Sequence, residues 1–235
     1  MRFLGIQNMQ AEGFGRFDSL LAEMGVQFDC FRAFEGQALP APDPYDAILI
    51  GGTPVAAYEL ESHPFLVAEE RYLRAVVEGG QPCLGVCFGA QLLAKILGAG
   101  VRRAPRKEIG VYPLALTEAG RADPLLRGFP GRFQVFQWHG DTFDIPAGAE
   151  LLAAGEDCPN QMFRRGSAAG VQFHLETTPG EAAVWARVYA DEVRQFGRPP
   201  EELLAEIRRH EPAARELAER FVHNLVGWVG ALQGR

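Results

Sequence analysis

The chain has little of what several protein classes require. Its 23 Lys and Arg are outnumbered by 30 Asp and Glu, for a formal net charge of −7. Without a positive excess, a phosphate-backbone partner is not expected. No apolar run approaches the ~20 residues that a membrane helix needs. The opening Met1-Arg2-Phe3-Leu4-Gly5-Ile6 turns polar at Gln7, too early for an export signal. A soluble cytoplasmic protein without a membrane partner is the expectation. Cysteine is sparse: Cys30, Cys83, Cys87 and Cys158 are the whole set, and without a secretion signal they are expected to be reduced. Cys83 and Cys87 are followed by no second closely spaced Cys/His pair, so neither zinc nor another metal is expected. Repeats, low-complexity runs and linkers are also missing, which leaves residues 1–235 as one expected domain.

Short apolar runs at Phe3–Ile6, Val26–Phe31, Ala47–Ile50 and Cys83–Val86 have strand length. Between them lie amphipathic stretches such as Phe65–Val77, whose apolar residues recur on one helical face. Strands separated by helices of this length imply parallel βαβ units, hence an α/β fold. The middle of the chain changes character. Lys107–Leu116, Arg132–Trp138, Glu150–Ala154, Gln161–Arg165 and Ala168–Phe173 are strand-like and joined by short turns, which predicts antiparallel strands added to the parallel sheet. From Pro179 helix formers dominate, with a break at Gly197-Arg198-Pro199-Pro200 and one or two amphipathic helices beyond it.

The most informative stretch is Leu84-Gly85-Val86-Cys87-Phe88-Gly89-Ala90-Gln91, a Gly-x-Cys-x-Gly between an apolar strand and a helical pattern. It is the cysteine form of a nucleophile elbow, in which a sharp strand-to-helix turn lifts one side chain to the sheet's edge. The helix behind the cysteine aims its first N–H groups at the sulfur and favours the thiolate. The pattern also fits a small core cysteine at an ordinary tight turn. Cys83 and Cys30 fall inside strands and read as core; Cys158 sits in a loop without suggestive neighbours.

A thiolate nucleophile needs an imidazole to hold and pass on its proton. His174 follows the strand Ala168–Phe173, and Glu176 lies two residues on. In an extended segment positions i and i+2 face the same way, so Glu176 can fix the imidazole's tautomer while His174 acts as base. The run Ala47–Ile50 enters Gly51-Gly52-Thr53-Pro54, where bare backbone can present N–H groups. Gly52, with the N–H of Phe88, can form an oxyanion hole. Sites in such folds gather at the C-terminal edge of parallel strands.

On Gly51-Gly52, Gly85–Gln91 and Gly170-Val171-Gln172-Phe173-His174-Leu175-Glu176, the chain resembles class I glutamine amidotransferases of the Cys-His-Glu triad type. Within that family it is similar to free-standing proteins related to the amidotransferase domain of GMP synthase, a branch that Lys107-Glu108-Ile109-Gly110 and Gln137–Thr142 suit. The resemblance covers the chain to about Glu176. It implies a flavodoxin-like three-layer α/β sandwich and hydrolysis of glutamine's side-chain amide, with Cys87 as nucleophile, His174 as acid and base, and Glu176 as orienter. It also implies that Gln91 and the backbone around Trp138, His139, Gly140 and Asp141 grip glutamine's α-amino and α-carboxylate groups. No cofactor is implied. Two departures stand out: Gly51-Gly52-Thr53-Pro54 replaces the family's Gly-Gly-Pro, and there is no Ser-Gly-Gly-x-Asp-Ser-type nucleotide loop. Three functions follow as alternatives: a glutaminase subunit delivering ammonia to a separate synthetase, a stand-alone hydrolase of γ-glutamyl peptides or amides, and a non-catalytic binding or regulatory protein. Arg102-Arg103 and Arg106-Lys107 read as a solvated basic face, and His63, His210 and His223 as surface or packing residues.

Overall fold

Nine strands make one sheet in the computed structural model, which describes residues 1–234, in the order β2-β1-β3-β4-β9-β8-β7-β5-β6. The first half of the chain supplies β1 (Arg2–Gln7), β2 (Gln27–Arg32), β3 (Ala47–Ile50) and β4 (Cys83–Val86), interleaved with helices α1 (Arg16–Glu23), α2 (Pro64–Glu78) and α3 (Phe88–Ile96). These four strands and β9 (Ala168–Val171) run parallel. Beyond β9 the pairing turns antiparallel through β8 (Met162–Arg165), β7 (Glu150–Ala154), β5 (Val101–Leu116) and β6 (Arg132–Phe143). A short helix α4 (Glu118–Ala122) follows β5. The chain then closes with α5 (Pro179–Val188), α6 (Ala190–Phe196) and α7 (Pro200–Leu232).

Period-two alternation assigns the faces. Phe3 and Leu49 pack into a core with α1 and α7, whereas Leu4, Ile6, Ile48 and Ile50 pack into another with α2 and α3. Both faces of the parallel strands are thereby buried, as a sheet flanked by crossover helices requires. The result is the three-layer α/β sandwich, flavodoxin-like with added antiparallel strands and a helical C-terminus. Local signals set several boundaries. Pro64 opens α2, where a missing N–H does no harm. Thr178 and Glu181 cap α5 reciprocally. Among the described residues no helix is long and apolar enough to cross a membrane.

Several expectations need correction. β5 starts at Val101 and β6 ends at Phe143, both longer than their apolar patterns suggest. Cross-strand pairing of Arg102 with Thr142 and Arg103 with Asp141 carries the ladder through polar residues, before an irregularity between Arg103 and Glu108. Cys30 is exposed, not core, because β2 is an edge strand. Of the one or two helices expected after Pro200, the structure has one, and it runs through Pro212. Its buried Leu203, Ile207, Leu217, Phe221, Leu225 and Trp228 anchor both ends.

Candidate active site

The parallel strands β3, β4 and β9 deliver three segments to one edge. At the end of β4, Cys87 adopts φ +53° and ψ −108°. It is the one non-glycine residue with positive φ among the described residues. That conformation is strained for any residue with a Cβ, so the surroundings must over-determine it. They do. A Cβ on Gly85 would stand 2.2 Å from the Gly89 carbonyl carbon, and one on Gly89 would stand 2.4 Å from Ile50 O. Only glycine lets the strand and the helix approach this closely. The Cys87 N–H donates to Val171 O at 2.8 Å, and its own carbonyl accepts from the Gln91 N–H at 3.1 Å as α3 begins. The sulfur therefore sits at the head of α3, whose first N–H groups have no partner within the helix.

His174 is pinned beside it from β6: its N–H donates to Phe136 O at 2.9 Å. Its Nδ1 lies 2.5 Å from Glu176 Oε1, which also accepts from Thr177 Oγ1 at 3.1 Å. The other ring nitrogen, Nε2, is buried without a hydrogen bond. Burial alone would disfavour the charged imidazole. The Glu176 carboxylate and then Cys87 outweigh it and hold the His174 pKa well above the ordinary histidine value. The ring packs edge-on against Trp185, 5.0 Å between centroids. Around the sulfur, Gln172 Nε2 lies 3.6 Å from Sγ and Trp138 O 3.7 Å away.

Gly52 comes from the β3 edge. A Cβ there would stand 3.9 Å from the Cys87 Cβ and only 2.4 Å from Glu12 Oε2. Its neighbour Gly51 is held by its N–H donating to Ile6 O at 2.9 Å. Asn8 Nδ2 bridges Gly51 O, at 3.5 Å, and the buried Glu69 Oε1, at 3.1 Å. Phe88, first residue of α3, is buried against the α2 side of the sheet.

A cleft of about 690 Å³ opens in front of the sulfur, and Cys87, Gln91, Trp138, His139, Gly140 and Asp141 line it. His174, Glu176, Gly52 and Phe88 stand behind, so the structure brings every residue singled out from the sequence to this edge. Their side chains are not equally free. Both hydrogens of the Gln91 amide are committed, to Asp141 O at 3.3 Å and Gln172 Oε1 at 3.1 Å. His139 has both ring nitrogens engaged, at 2.9 Å from Asp141 O and 2.8 Å from Glu108 Oε2. It shapes the Trp138–Asp141 backbone and presents no free nitrogen to the cleft.

Glu108, His139 and Cys158 form a second, fully buried Cys-His-Glu trio, with one ligand atom from each lying within 4.8 Å of the others. These are the residues able to hold a metal ion. Each donor atom already has a protein partner, however: the Cys158 thiol donates to Thr142 Oγ1 at 3.1 Å, and Glu108 Oε2 accepts from Gln161 Nε2 at 3.0 Å. Burial pushes the Cys158 thiol up, away from thiolate. The trio is a closed network that meets the cleft only at His139.

The sequence reading missed the opposite wall. Glu12 comes from the loop after β1, and Trp185, Tyr189, Glu192 and Gln195 come from α5 to α6. Trp185 and Tyr189 belong to an ordinary amphipathic pattern, and nothing local marks them as cleft residues. Arg102, Arg103, Arg106 and Lys107 are all exposed, the solvated basic face expected, and Arg103 and Lys107 bring part of that face to the rim of the cleft.

A model of the family described as "Glutamine amidotransferase class-I" matches residues 18–187. The chain belongs to that family. It is 33% identical over 183 residues to the glutamine amidotransferase-like protein YfeJ of Salmonella typhimurium, covering 76% of this chain and 77% of that one. It is 38% identical over 130 residues to a GMP synthase (glutamine-hydrolyzing) of Thermomicrobium roseum, covering 55% of this chain but 23% of the synthase. Among solved structures, a glutamine amidotransferase of Thermotoga maritima superposes with a TM-score of 0.89 at 34% identity, over 96% of this chain and 98% of the other. Class I glutamine amidotransferase membership thus extends past the stretch of motif resemblance, into the α5 wall.

Proposed function

We propose that this chain hydrolyses the side-chain amide of glutamine through a thioester on Cys87. The observation that carries the reading is the pairing of a strained elbow cysteine at a helix N-terminus with an imidazole that a buried carboxylate holds at 2.5 Å. In this reading the thiolate adds to the side-chain carbonyl carbon, and the backbone N–H groups of Gly52 and Phe88 take the oxyanion. His174, kept protonated by Glu176, gives its proton to the departing nitrogen as the C–N bond breaks and ammonia leaves. The same imidazole then accepts a proton from water, the hydroxide adds to the thioester, and glutamate departs as the thiolate re-forms. Gln91 Oε1 and the backbone from Trp138 to Asp141 face the α-amino and α-carboxylate groups. Residues 1–235 act as one amidotransferase unit, with any ammonia acceptor on a separate synthetase.

One observation favours a second reading within the same chemistry. The cleft of about 690 Å³ is far larger than free glutamine and of the size that encloses drug-sized ligands. Its extra volume suits a γ-glutamyl amide or peptide with a substituted leaving nitrogen. Glutamate release from glutamine and from γ-glutamyl dipeptides, measured side by side, separates the two. Equal failure of both substrates, with Cys87 unmodified by a glutamine-like electrophile, would overturn the catalytic reading and leave a binding protein.

A further inference from the structure

Glu12 is the one buried carboxylate among those described as lining the cleft, and neither a lysine nor an arginine pairs with it. Glu176 is taken by His174 at 2.5 Å, and Glu192 by Lys107 Nζ at 2.6 Å and Trp138 Nε1 at 2.9 Å. Asp141, across the cleft, accepts from Tyr58 OH and feels the charge of Arg103. Glu12 is only 8% exposed. Its Oε1 accepts from the Tyr189 hydroxyl at 2.5 Å, while Oε2 makes no hydrogen bond among the described residues. Burial raises its carboxyl above the ordinary carboxylate value, against the pull of the Tyr189 hydrogen bond and the charge of His174, and Glu176 and Glu192 add to the rise.

The carboxylate is also held in place. The Glu12 N–H donates to Met9 O at 3.0 Å, and Trp185 Nε1 donates to the adjoining Ala11 O at 2.7 Å. The Arg16 N–H closes the loop onto Glu176 O at 2.9 Å. Oε2 therefore stands beside Gly52, where it leaves no room for a side chain, within the field of His174. In the hydrolytic reading His174 gives its proton to the departing nitrogen, so the field that acts on Glu12 is that of the proton donor.

The charge of His174 does not offset that burial, so the carboxyl is held toward its neutral form unless a further cation reaches Oε2. A ligand that itself brings a positive charge lifts that penalty. We propose that Glu12, fixed by Tyr189, is a subsite for an ammonium or primary alkylammonium ion, the form in which the departing nitrogen rests before release. The inference rests on the hydrolytic reading of Cys87 for its direction, though not for its detection. An ammonium held here carries a second proton gained from solvent and must lose it before it can serve a synthetase as a nucleophile.

The test uses the intact protein and its own tryptophans, since Trp138 and Trp185 line the same cleft. Ammonium chloride and methylammonium chloride are titrated against tryptophan emission at constant ionic strength, with sodium chloride and tetramethylammonium chloride as controls. A saturable change is expected with the first two salts only, at roughly millimolar to hundred-millimolar concentrations, as suits ligands of one or two heavy atoms. Glu12→Gln should weaken it tenfold or more; Tyr189→Phe, which keeps the carboxylate, should weaken it less. Tighter binding of methylammonium than of ammonium assigns the site to substituted γ-glutamyl amides, and the reverse order to glutamine. Absence of saturation in the wild-type protein, or equal affinity in a folded Glu12→Gln variant, overturns the proposal. If Glu12→Gln does not fold, unchanged affinity in Tyr189→Phe overturns it instead. Glutamine turnover with no amine saturation sinks the subsite and spares the hydrolase. Amine saturation with no turnover of any γ-glutamyl substrate does the opposite.

Discussion

Glu69 allows a quantitative check on how the strand edge is built. It lies on α2, fully buried, with Oε1 accepting from Asn8 Nδ2 at 3.1 Å and Oε2 without a partner. Burial pushes its carboxyl from 4.5 up to about 8, against the smaller opposing pull of the Asn8 hydrogen bond. The sign then follows by linkage. Below pH 4.5 both folded and unfolded chains hold the proton, and the folded state suffers no penalty. Between pH 4.5 and about 8 the unfolded chain releases it while the folded chain keeps it, so stability falls as pH rises. At ~1.4 kcal/mol per pH unit, that interval amounts to roughly 5 kcal/mol, less whatever the site recovers by admitting water. Glu69→Gln keeps the shape and cannot ionise. Urea unfolding followed by tryptophan emission, from pH 4.5 to 8.5, gives the stability difference between variant and wild type, from which every other titrating group cancels. The difference should start within about 1 kcal/mol of zero, grow in favour of Gln by several kcal/mol, and level off above pH 8. A difference that stays flat would refute the reasoning, because the carboxyl would then be as well solvated folded as unfolded.

Other outcomes follow from the same geometry. Cys87→Ala should abolish glutamate release, and a glutamine-like electrophile should modify Cys87 ahead of exposed Cys30 and ahead of Cys83, whose thiol burial pushes up to about 12; mass-spectrometric mapping decides. Glu176→Gln removes the main influence that raises the His174 pKa. The alkaline limb of kcat, set by loss of the imidazole proton, should move to lower pH, and kcat should fall on the order of a hundredfold or more. A limb that stays put would mean that Glu176 does not act on the imidazole. Gly52→Ala should depress kcat and lower the melting temperature less than Gly85→Ala does, since its Cβ meets a side-chain carboxylate, that of Glu12, at 2.4 Å. Gly85→Ala, whose Cβ meets Gly89 backbone at 2.2 Å, should instead fail to fold stably; equal melting temperatures for the two variants would argue against the elbow's packing.

The parallel half of the fold was legible residue by residue. Ala47–Ile50 and Cys83–Val86 are strands at the boundaries their apolar runs set, because buried strands leave no room for polar residues to blur the pattern. Cys87 was legible for a related reason: a strained elbow demands glycine two residues to either side, and that demand is written locally. His174 and Glu176 share one short segment, so their mutual reach was also a local property. The outer halves of β5 and β6 were not legible, since Arg102 and Arg103 take strand conformation only because β6 offers a ladder. Nor was the exposure of Cys30, which depends on β2 having no neighbour on one side.

What the chain alone determined, then, was the elbow cysteine, the His174–Glu176 pair and the sheet that carries them, because each depends on steric rules acting over a few adjacent residues. Only the tertiary structure decided that Glu12, Trp185, Tyr189 and Glu192 form the far wall of the cleft. The Tyr189–Glu12 hydrogen bond joins positions 177 residues apart, and no local pattern carries such a contact. It exists because the closing helices fold back over the loop after β1, and packing chooses the partners across that gap.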